Sequence, residues 1–242
     1  MKIDCATCPL RQLELFLPMS SKEVAFMKRF KTGEFAAQPG TEILAEDASS
    51  SQLFTVLSGM GLRSKTLPNG RRQVVGFVLP GDFVGLQSGV MDAMRHSVEA
   101  TTRMVLCVFN RSDLWQLFEQ QPERAFDLTY LAASEEHLLG EALQALGQMT
   151  AEEKISWALG KLYMRLSALG QCRENAVPLP YKQQDLADAL GLSLVHTNKT
   201  LAKLREKQIA SWSGGTLIVH DRDELYAMGH LDRQHARPRP LI

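Results

Sequence analysis

The stretch LADALGLSLVHTNKTLAKLREKQ, from Leu186 to Gln208, decides how the C-terminal part of the chain folds. Two short helical patterns of apolar residues are separated there by Gly191, Leu192 and Ser193. Glycine readily takes the left-handed conformation that ends many helices, and serine is a favoured residue at the start of the next helix. The spacing therefore predicts two helices joined by a tight turn.

The second of these helices has an inner face and an outer face of different character. Leu201 and Leu204 are its apolar inner positions, and the outer positions are mostly polar or basic. Such a face suits a DNA groove, which is rich in hydrogen-bond acceptors and flanked by phosphates. The candidate DNA-binding residues are Ser193, Leu194, Val195, His196, Asn198, Lys199 and Lys203.

An ordinary antiparallel pair of helices with a solvated face is the alternative interpretation. Three further features favour a helix-turn-helix: the small Ala187 four residues before Gly191, the serine cap, and the segment WSGGTLIVHD that follows. That segment predicts a turn at Gly214-Gly215 and a strand, hence a β wing.

The N-terminal half of the sequence has the pattern of a β-roll. Glycines recur between short alternating runs such as QLFTVLSG, QVVGFVLPG and SVEATTRMVLCVF, which is typical of a sandwich or jelly roll. Pro68-Asn69-Gly70 indicates a hairpin turn, in which Asn69-Gly70 can supply positive φ values.

The segment from Pro122 to Met149 predicts one long helix. Apolar residues spaced alternately three and four apart form a stripe, interrupted by Glu135, that can pack against a second copy of the chain. A plain monomer core is the alternative. A second stripe beside it contains Leu139, Leu143 and Leu146, and Thr150 with Glu153 forms a capping box for the next helix. The candidate dimerisation residues are Leu128, Leu131, Leu138, Ala142, Ala145 and Met149.

Composition and charge narrow the class of protein. The formal net charge is zero, but residues 1–149 contain 14 basic and 17 acidic residues and residues 150–242 contain 13 and 10, which suggests two modules with different partners. There is no long apolar run for a membrane span and no secretion signal, so we expect a cytoplasmic protein with reduced thiols. No catalytic motif is present, and we expect no enzymatic activity.

These features together resemble the CRP/FNR transcription regulators, named for the cyclic-AMP receptor protein and the fumarate-nitrate reduction regulator. The motif LPGDFVGL (Leu79–Leu86) and the helix-turn-helix carry the resemblance most specifically. It implies an α+β fold with a cyclic-nucleotide-binding-like β-roll over 1–121, a dimerisation helix over 122–149 and a winged helix-turn-helix over 150–242. It also implies a homodimer on a near-palindromic site in double-stranded DNA, with RNA polymerase as a further partner.

The resemblance is incomplete at two places. Family members that bind cyclic AMP have a glutamate where this chain has Leu86, and an adjacent Arg-Ser pair where it has Arg95 and Ser97 separated by His96. We therefore do not expect cyclic AMP to bind. In the recognition helix, Val195 and Lys199 replace a base-reading Glu and Arg, so the preferred DNA sequence should differ. Thr197 replaces a buried Val or Ile, with a hydroxyl that can bond a carbonyl one turn earlier.

Three cysteines match the oxygen sensors of this family, in which four cysteines hold an iron–sulfur cluster. Cys5, Cys8 and Cys107 match, Glu14 stands at the fourth position, and Cys172 is a poor substitute. The resemblance thus implies Cys5, Cys8 and Cys107 as metal ligands. A redox-active thiol set, a bound metal, or a buried Cys107 with Cys5 and Cys8 in a mobile terminus are the alternatives.

Two functions follow from the sequence. The first is a dimeric DNA-binding transcription regulator whose activity is modulated through the β-roll. The second is a metal, redox or small-molecule sensing module whose helix-turn-helix serves only protein contact.

The tail RQHARPRPLI is expected to be disordered, with phosphate contact as a lesser option.

Overall fold

The chain folds into two compact units in a computed structural model that describes residues 3–232 and 237–242. The first unit contains the residues up to Arg71, Val75–Glu136 and Pro238–Ile242, and the second contains Arg72–Val74 and His137–Arg237. The predicted α+β architecture is confirmed. Residues 238–242 belong to the first unit although they follow the second unit in the chain.

The N-terminal half forms the predicted β-roll. The described residues contain eight strands there, and each of the quoted alternating runs contains at least one of them. The strands are β1 Lys31–Ala37, β2 Glu42–Leu44, β3 Gln52–Ser58, β4 Gly61–Thr66, β5 Arg72–Val78, β6 Phe83–Val84, β7 Ser97–Ala100 and β8 Met104–Asn110.

The strands form two sheets with a shared core. One has the order β1-β8-β3-β6 and the other the order β2-β7-β4-β5. Because side chains alternate along a strand, Leu106 and Val108 of β8 point into a cluster of buried residues drawn from both sheets. Cys107 and Phe109 lie on the opposite face of the same strand. The sheet containing β8 therefore has an inner face in the roll and an outer face that other segments cover.

Two turns of the β-roll depend on glycine. Gly70 has φ +81° and donates its amide to the Leu67 carbonyl at 2.8 Å, which closes the predicted hairpin between β4 and β5. Asn69 is not in the left-handed region, so only one of the two residues predicted to have a positive φ does. Gly81 has φ +86°, and a Cβ there would lie 2.2 Å from the ring of Phe16. The loop before β6 thus accommodates only glycine beneath that ring.

Eight helices complete the described part of the chain. The N-terminal cap predicted for the helix after Met149 is confirmed: the Thr150 hydroxyl accepts from the Glu153 amide, and the Glu153 carboxylate accepts from the Thr150 amide. The helices are α1 Ser21–Phe30, α2 Leu86–Met91, α3 Leu114–Gln120, α4 Pro122–Gln148, α5 Ala151–Ala168, α6 Gln183–Leu190, α7 Leu194–Glu206 and α8 Arg222–Met228.

A small sheet accompanies the helices of the second unit. Its strands are β9 Ala176–Pro178, β10 Ala210–Ser213 and β11 Thr216–Val219, in the order β10-β11-β9. β10 and β11 form an antiparallel hairpin directly after α7, as predicted for a wing. Over the described residues, no helix is both long and apolar enough to cross a membrane.

The C-terminal residues 238–242, here called the C-terminal strap, are part of the β-roll unit. Pro240, Leu241 and Ile242 are buried, and Arg239 forms a parallel bridge with Phe16. The expectation of a disordered tail is therefore wrong for this segment, because its apolar side chains are covered by the roll. The rest of the predicted disordered tail includes residues 233–236, which lie outside the described residues.

His96 is half-buried in the first unit, near an ion pair that is partly exposed. The Arg63 Nη1 donates to the Glu135 Oε2 at 2.5 Å, and Lys65 and Glu46 are the other charged groups near the imidazole. Burial, followed by the charge of Arg63, lowers the pKa of His96 from 6.5 to about 4. The imidazole is therefore neutral at pH 7.

This pKa predicts a loss of stability in mild acid. The unfolded chain binds a proton at His96 near pH 6.5, whereas the folded chain does so only near pH 4. The contribution of His96 to the free energy of unfolding should be complete above pH 6.5 and should be lost as the pH falls toward 4. Urea denaturation of the wild type and of His96→Gln at a series of pH values checks this. We expect the decline in the wild type to be reduced in the variant, and equal slopes would contradict the assignment.

Candidate nucleic-acid interface

The turn between α6 and α7 has the geometry that the sequence predicts. Gly191 has φ +62° and ends α6, with its amide bonded to the Ala187 carbonyl. A residue with a Cβ would lose roughly 1–2 kcal/mol in the left-handed conformation, and glycine avoids this strain at position 191. Ser193 caps α7, because its hydroxyl accepts from the His196 amide at 3.2 Å. Both caps fix the direction in which α7 leaves the turn.

One face of α7 is buried and the opposite face is exposed. Thr197, Thr200, Leu201 and Leu204 are buried and hold the helix against its own unit. All seven candidate DNA-binding residues are exposed. At 100° per residue, Val195, Lys199 and Ala202 lie opposite the buried face, and Asn198 flanks them. This face is where a groove of DNA would meet the helix.

The flank of α7 carries basic residues that already have an acidic partner. Lys203 Nζ lies 2.9 Å from Glu152 Oε1, and Lys207 Nζ lies 3.1 Å from Glu152 Oε2. Hydrogen bonds from these two lysines hold the pKa of Glu152 below its ordinary value. Lys203 therefore differs from Lys199, which has no ion pair among the described residues. Lys203 lies on the flank of the exposed face and not at its centre.

The sequence analysis missed two contributors to this surface. Arg205 is exposed and lies about 20° around the helix from Leu194, next to Asn198. The wing adds Gly214 and Gly215, which are exposed and have φ +56° and +74°. A hairpin tip without side chains allows close approach to a sugar–phosphate backbone. Arg205 could have been found from its helical spacing relative to Leu194 and Asn198. The role of Gly214 and Gly215 could not, because it depends on the exposure of the hairpin tip in the folded chain.

Comparisons with known proteins agree with this geometry. Residues 34–121 match the family model described as a cyclic nucleotide-binding domain, and residues 154–228 match the Crp-like helix-turn-helix domain. The nitrogen fixation regulation protein FixK of Bradyrhizobium diazoefficiens is 32% identical over 223 residues, which cover 89% of this chain and 90% of FixK. The transcriptional activator protein FnrL of Cereibacter sphaeroides is 28% identical, with 89% and 87% covered.

The solved structure of FixK2 from Bradyrhizobium japonicum has the same fold. It aligns with a TM-score of 0.71 at 27% identity and covers 81% of this chain and 96% of FixK2. The chain belongs to the CRP/FNR family. It is a DNA-binding transcription regulator and not an enzyme.

The positions that hold cyclic AMP in other CRP/FNR proteins have different contacts here. Leu86 offers no acceptor for a ribose hydroxyl. Arg95 Nη1 lies 3.1 Å from Asp47 Oδ1 on an exposed surface, and the Ser97 hydroxyl accepts from the Glu46 amide at 2.9 Å. In this structure the Arg95 and Ser97 side chains thus contact neighbouring residues of the roll.

The three matching cysteines line one cavity on the outer face of the roll. Cys5, Cys8 and Cys107 lie around it with the apolar side chains of Leu57 and Phe109, and we call it the thiol cavity. The N-terminal segment is held in place, because the Lys31 Nζ donates to the Ile3 carbonyl at 2.7 Å and the Arg11 guanidinium donates to the Cys5 carbonyl at 2.8 Å. In this structure Cys5 and Cys8 thus lie against the roll beside Cys107.

These residues do not fit an iron–sulfur cluster as they stand. In residues 3–232 and 237–242, no three Cys, His, Asp or Glu side chains are grouped closely enough to hold a metal ion. Glu14, at the fourth position of the family pattern, is exposed and does not line the cavity. Burial raises the pKa of Cys107 to about 12 and also raises that of Cys5.

The two stripes of α4 have different environments. Leu128, Leu131 and Ala145 are buried by the chain itself, and Leu138, Ala142 and Met149 are half-buried. The single chain thus already covers Leu128, Leu131 and Ala145 of the candidate dimerisation residues, and their contact with a partner chain stays a prediction. The second stripe is open: Leu139 is 53% exposed and Leu143 is 72% exposed.

The buried face of α7 contains one polar atom without a partner. The Thr197 side chain is fully buried, and its hydroxyl has no hydrogen bond among the described residues. The bond to a carbonyl one turn earlier was a wrong prediction. The Ser193 carbonyl accepts a hydrogen bond from the Thr197 amide at 2.9 Å, but not one from the Thr197 hydroxyl.

Thr197→Val should therefore stabilise the protein. Valine has nearly the same shape and removes a buried hydroxyl that lacks a partner, so the free energy of unfolding should rise by about 1 kcal/mol. Urea denaturation measures this. Ser193→Ala serves as the opposite control, since loss of that cap should cost about 1 kcal/mol. A destabilised Thr197→Val would show that the hydroxyl is hydrogen-bonded in solution.

Proposed function

We propose that the protein binds a near-palindromic promoter site as a homodimer, with one α7 in each of two successive major grooves. The observation that carries the proposal is the exposed face of α7, which presents Lys199 and Asn198, is capped at Ser193 and is followed by an exposed wing. Two major-groove segments one helical turn apart lie on the same face of the duplex. Two copies of the chain related by a two-fold axis can therefore each reach one half-site.

Within the recognition face, the side chains have separate roles. Lys199 and Asn198 supply donors for base edges, and Val195 is an apolar contact suited to a thymine methyl group. Arg205, Lys203 and the wing glycines lie farther out, where they suit phosphate contacts that set the register of the helix. Base preference should therefore depend on the central residues and overall affinity on the peripheral ones.

Lys199→Ala tests this division of roles. The loss of a base-edge contact should weaken binding to the specific site by about 1–3 kcal/mol per half-site and leave binding to random DNA nearly unchanged. The specific probe is a duplex that the wild type selects from a random-sequence pool, and fluorescence anisotropy measures both affinities. Lys203→Ala is the matched control, because it removes the same charge one turn later.

The two lysine variants should behave differently. Lys203→Ala should lower affinity for both DNAs by a similar factor, as expected of a phosphate contact. If Lys199→Ala also lowers both equally, Lys199 contacts phosphate and the base-reading role is wrong. If the wild type selects no sequence from the pool, the proposed site-specific binding fails.

The second stripe of α4 is the surface proposed for the partner copy. Leu139 and Leu143 are exposed, half-buried Leu146 follows at the next position, and the spacing of four and three residues is that of a coiled-coil seam. A second copy would cover these leucines with its own, which removes apolar area from water on both chains. The family resemblance and the symmetry of a two-groove site both favour this occupant.

Leu143→Glu should shift the protein toward monomers. It places two like charges together at the seam, and Leu143 is 72% exposed in the single chain, so the substitution should not unfold it. Sedimentation equilibrium measures the mass. Gln144→Glu is the matched control, because it adds the same charge at the neighbouring exposed position outside the stripe. An intact dimer for Leu143→Glu would move the interface elsewhere.

We further propose that the protein acts with RNA polymerase at promoters in the cytoplasm. FnrL of Cereibacter sphaeroides is named a transcriptional activator, which supports positive control. We infer that the signal reaches the protein through the β-roll but is not a cyclic nucleotide, because Leu86, Arg95 and Ser97 lack the pattern needed to hold one. The contacts of the cysteines favour control through thiols over control through an iron–sulfur cluster.

A further inference from the structure

The C-terminal strap is attached to the β-roll by backbone and side-chain bonds. The Arg239 amide donates to the Leu15 carbonyl at 2.8 Å, and the Leu17 amide donates to the Arg239 carbonyl at 2.9 Å. The Arg239 guanidinium donates to Asp82 Oδ1 at 3.0 Å, and this carboxylate is itself buried. The strap is therefore held to the N-terminal segment and to the LPGDFVGL loop at the same time.

The end of the strap lies against the thiol cavity. Leu241 and Ile242 form part of its lining, together with Cys5, Cys8 and Cys107. The Thr55 hydroxyl donates to the Ile242 carbonyl at 2.5 Å, and Thr55 is the direct cross-strand partner of Cys107 in the β3–β8 pairing. Ile242 thus lies one strand away from Cys107.

The thiols of the cavity are largely covered. Cys8 and Cys107 are buried and Cys5 is half-buried. A reagent must reach the sulfur atom before it can react, so these thiols should react slowly until their cover opens.

We propose that the C-terminal strap is a lid over the thiol cavity, and that opening this lid exposes Cys5, Cys8 and Cys107 to small electrophiles while changing the affinity for DNA. The lid and the thiols face the same cavity. A group added to a thiol would extend into this cavity, and one too large for it would press against Leu241 and Ile242 and oppose closure of the lid. A compound that reacts only with the open form shifts the population toward that form.

The connection to DNA binding follows from the course of the chain. The strap belongs to the β-roll unit, but it follows α8, the last helix of the DNA-binding unit. Along the chain, the DNA-binding module is therefore preceded by α4 and followed by the strap. Release of the strap frees the segment that follows the module, which is the step proposed to change the affinity for DNA. This step rests on the proposed function, whereas the cover over the thiols does not.

Alkylation rates of individual cysteines test the lid. N-ethylmaleimide adds the thiol sulfur to its double bond, and the thiol proton ends on the adjacent carbon, so no leaving group or oxidant is involved. Full-length wild type and Leu241→Asp are treated with the reagent, and peptide mass spectrometry follows each cysteine over time. Cys172, half-buried in the other unit, is the internal reference.

The lid variant should expose the cavity selectively. We expect Cys107 to react faster in Leu241→Asp by a factor on the order of ten or more, because the rate follows the open fraction. Cys172 should keep its rate. Leu67→Asp is the matched control, since it introduces the same charge at an exposed turn of the same unit. Arg239→Ala, which breaks the Asp82 contact outside the cavity, should also accelerate Cys107, and it replaces Leu241→Asp if circular dichroism shows that variant to be unfolded.

The DNA readout uses the duplex selected by the wild type. Alkylated wild type and unmodified Leu241→Asp should show the same change in affinity, at least severalfold relative to unmodified wild type. Equal Cys107 rates in wild type and in both folded lid variants would overturn the lid. A faster rate with unchanged DNA affinity would overturn the switch. If the unmodified wild type selects no DNA, the proposed function fails, and the alkylation rates still decide whether the strap is a lid.

Discussion

The long helix α4 must bury one apolar stripe against its own chain and leave a second stripe free. Both the attachment of the β-roll and the surface proposed for dimerisation depend on this division. Residues three and four apart share a face of a helix, so the stripe through Leu128, Leu131 and Ala145 can be buried while the neighbouring stripe through Leu139 and Leu143 stays exposed. The buried side also brings Glu135 to Arg63 inside the β-roll unit. The same helix therefore anchors the sensor domain and carries the surface proposed for the second copy.

Local signals in the sequence were sufficient for the fold and for the recognition helix. Gly191, Ser193 and the Thr150–Glu153 pair are recognisable because each acts through its own backbone and that of residues close by. Glycine-bounded runs predicted the strands for the same reason. The candidate residues of α7 were correctly predicted to be exposed, since a helix with one apolar face has only one way to pack.

Long-range contacts account for what the sequence did not predict. Two stripes of similar hydrophobicity run along α4, and only tertiary packing decides which one the chain covers. The Thr197 hydroxyl makes no hydrogen bond among the described residues, and its spacing from Ser193 alone does not reveal this. The tail ARPRPLI has the composition of a disordered segment, yet its last three residues are buried because a β-roll formed more than a hundred residues earlier in the chain provides a surface that fits them.

The ion pairs between Glu152 and the lysines on the flank of α7 have a consequence for how the protein responds to salt. A lysine that meets a DNA phosphate normally displaces condensed cations, and the slope of affinity against salt counts these, at about 0.9 ion per phosphate. Lys203 and Lys207 bring their own counter-charge, an ionised carboxylate covalently attached to the protein. A phosphate that takes either lysine must compete with Glu152, and the gain from cation release is offset by separating that pair. The flank of α7 therefore acts as a partly neutralised surface, which weakens attraction to arbitrary DNA and leaves the central residues to distinguish one sequence from another.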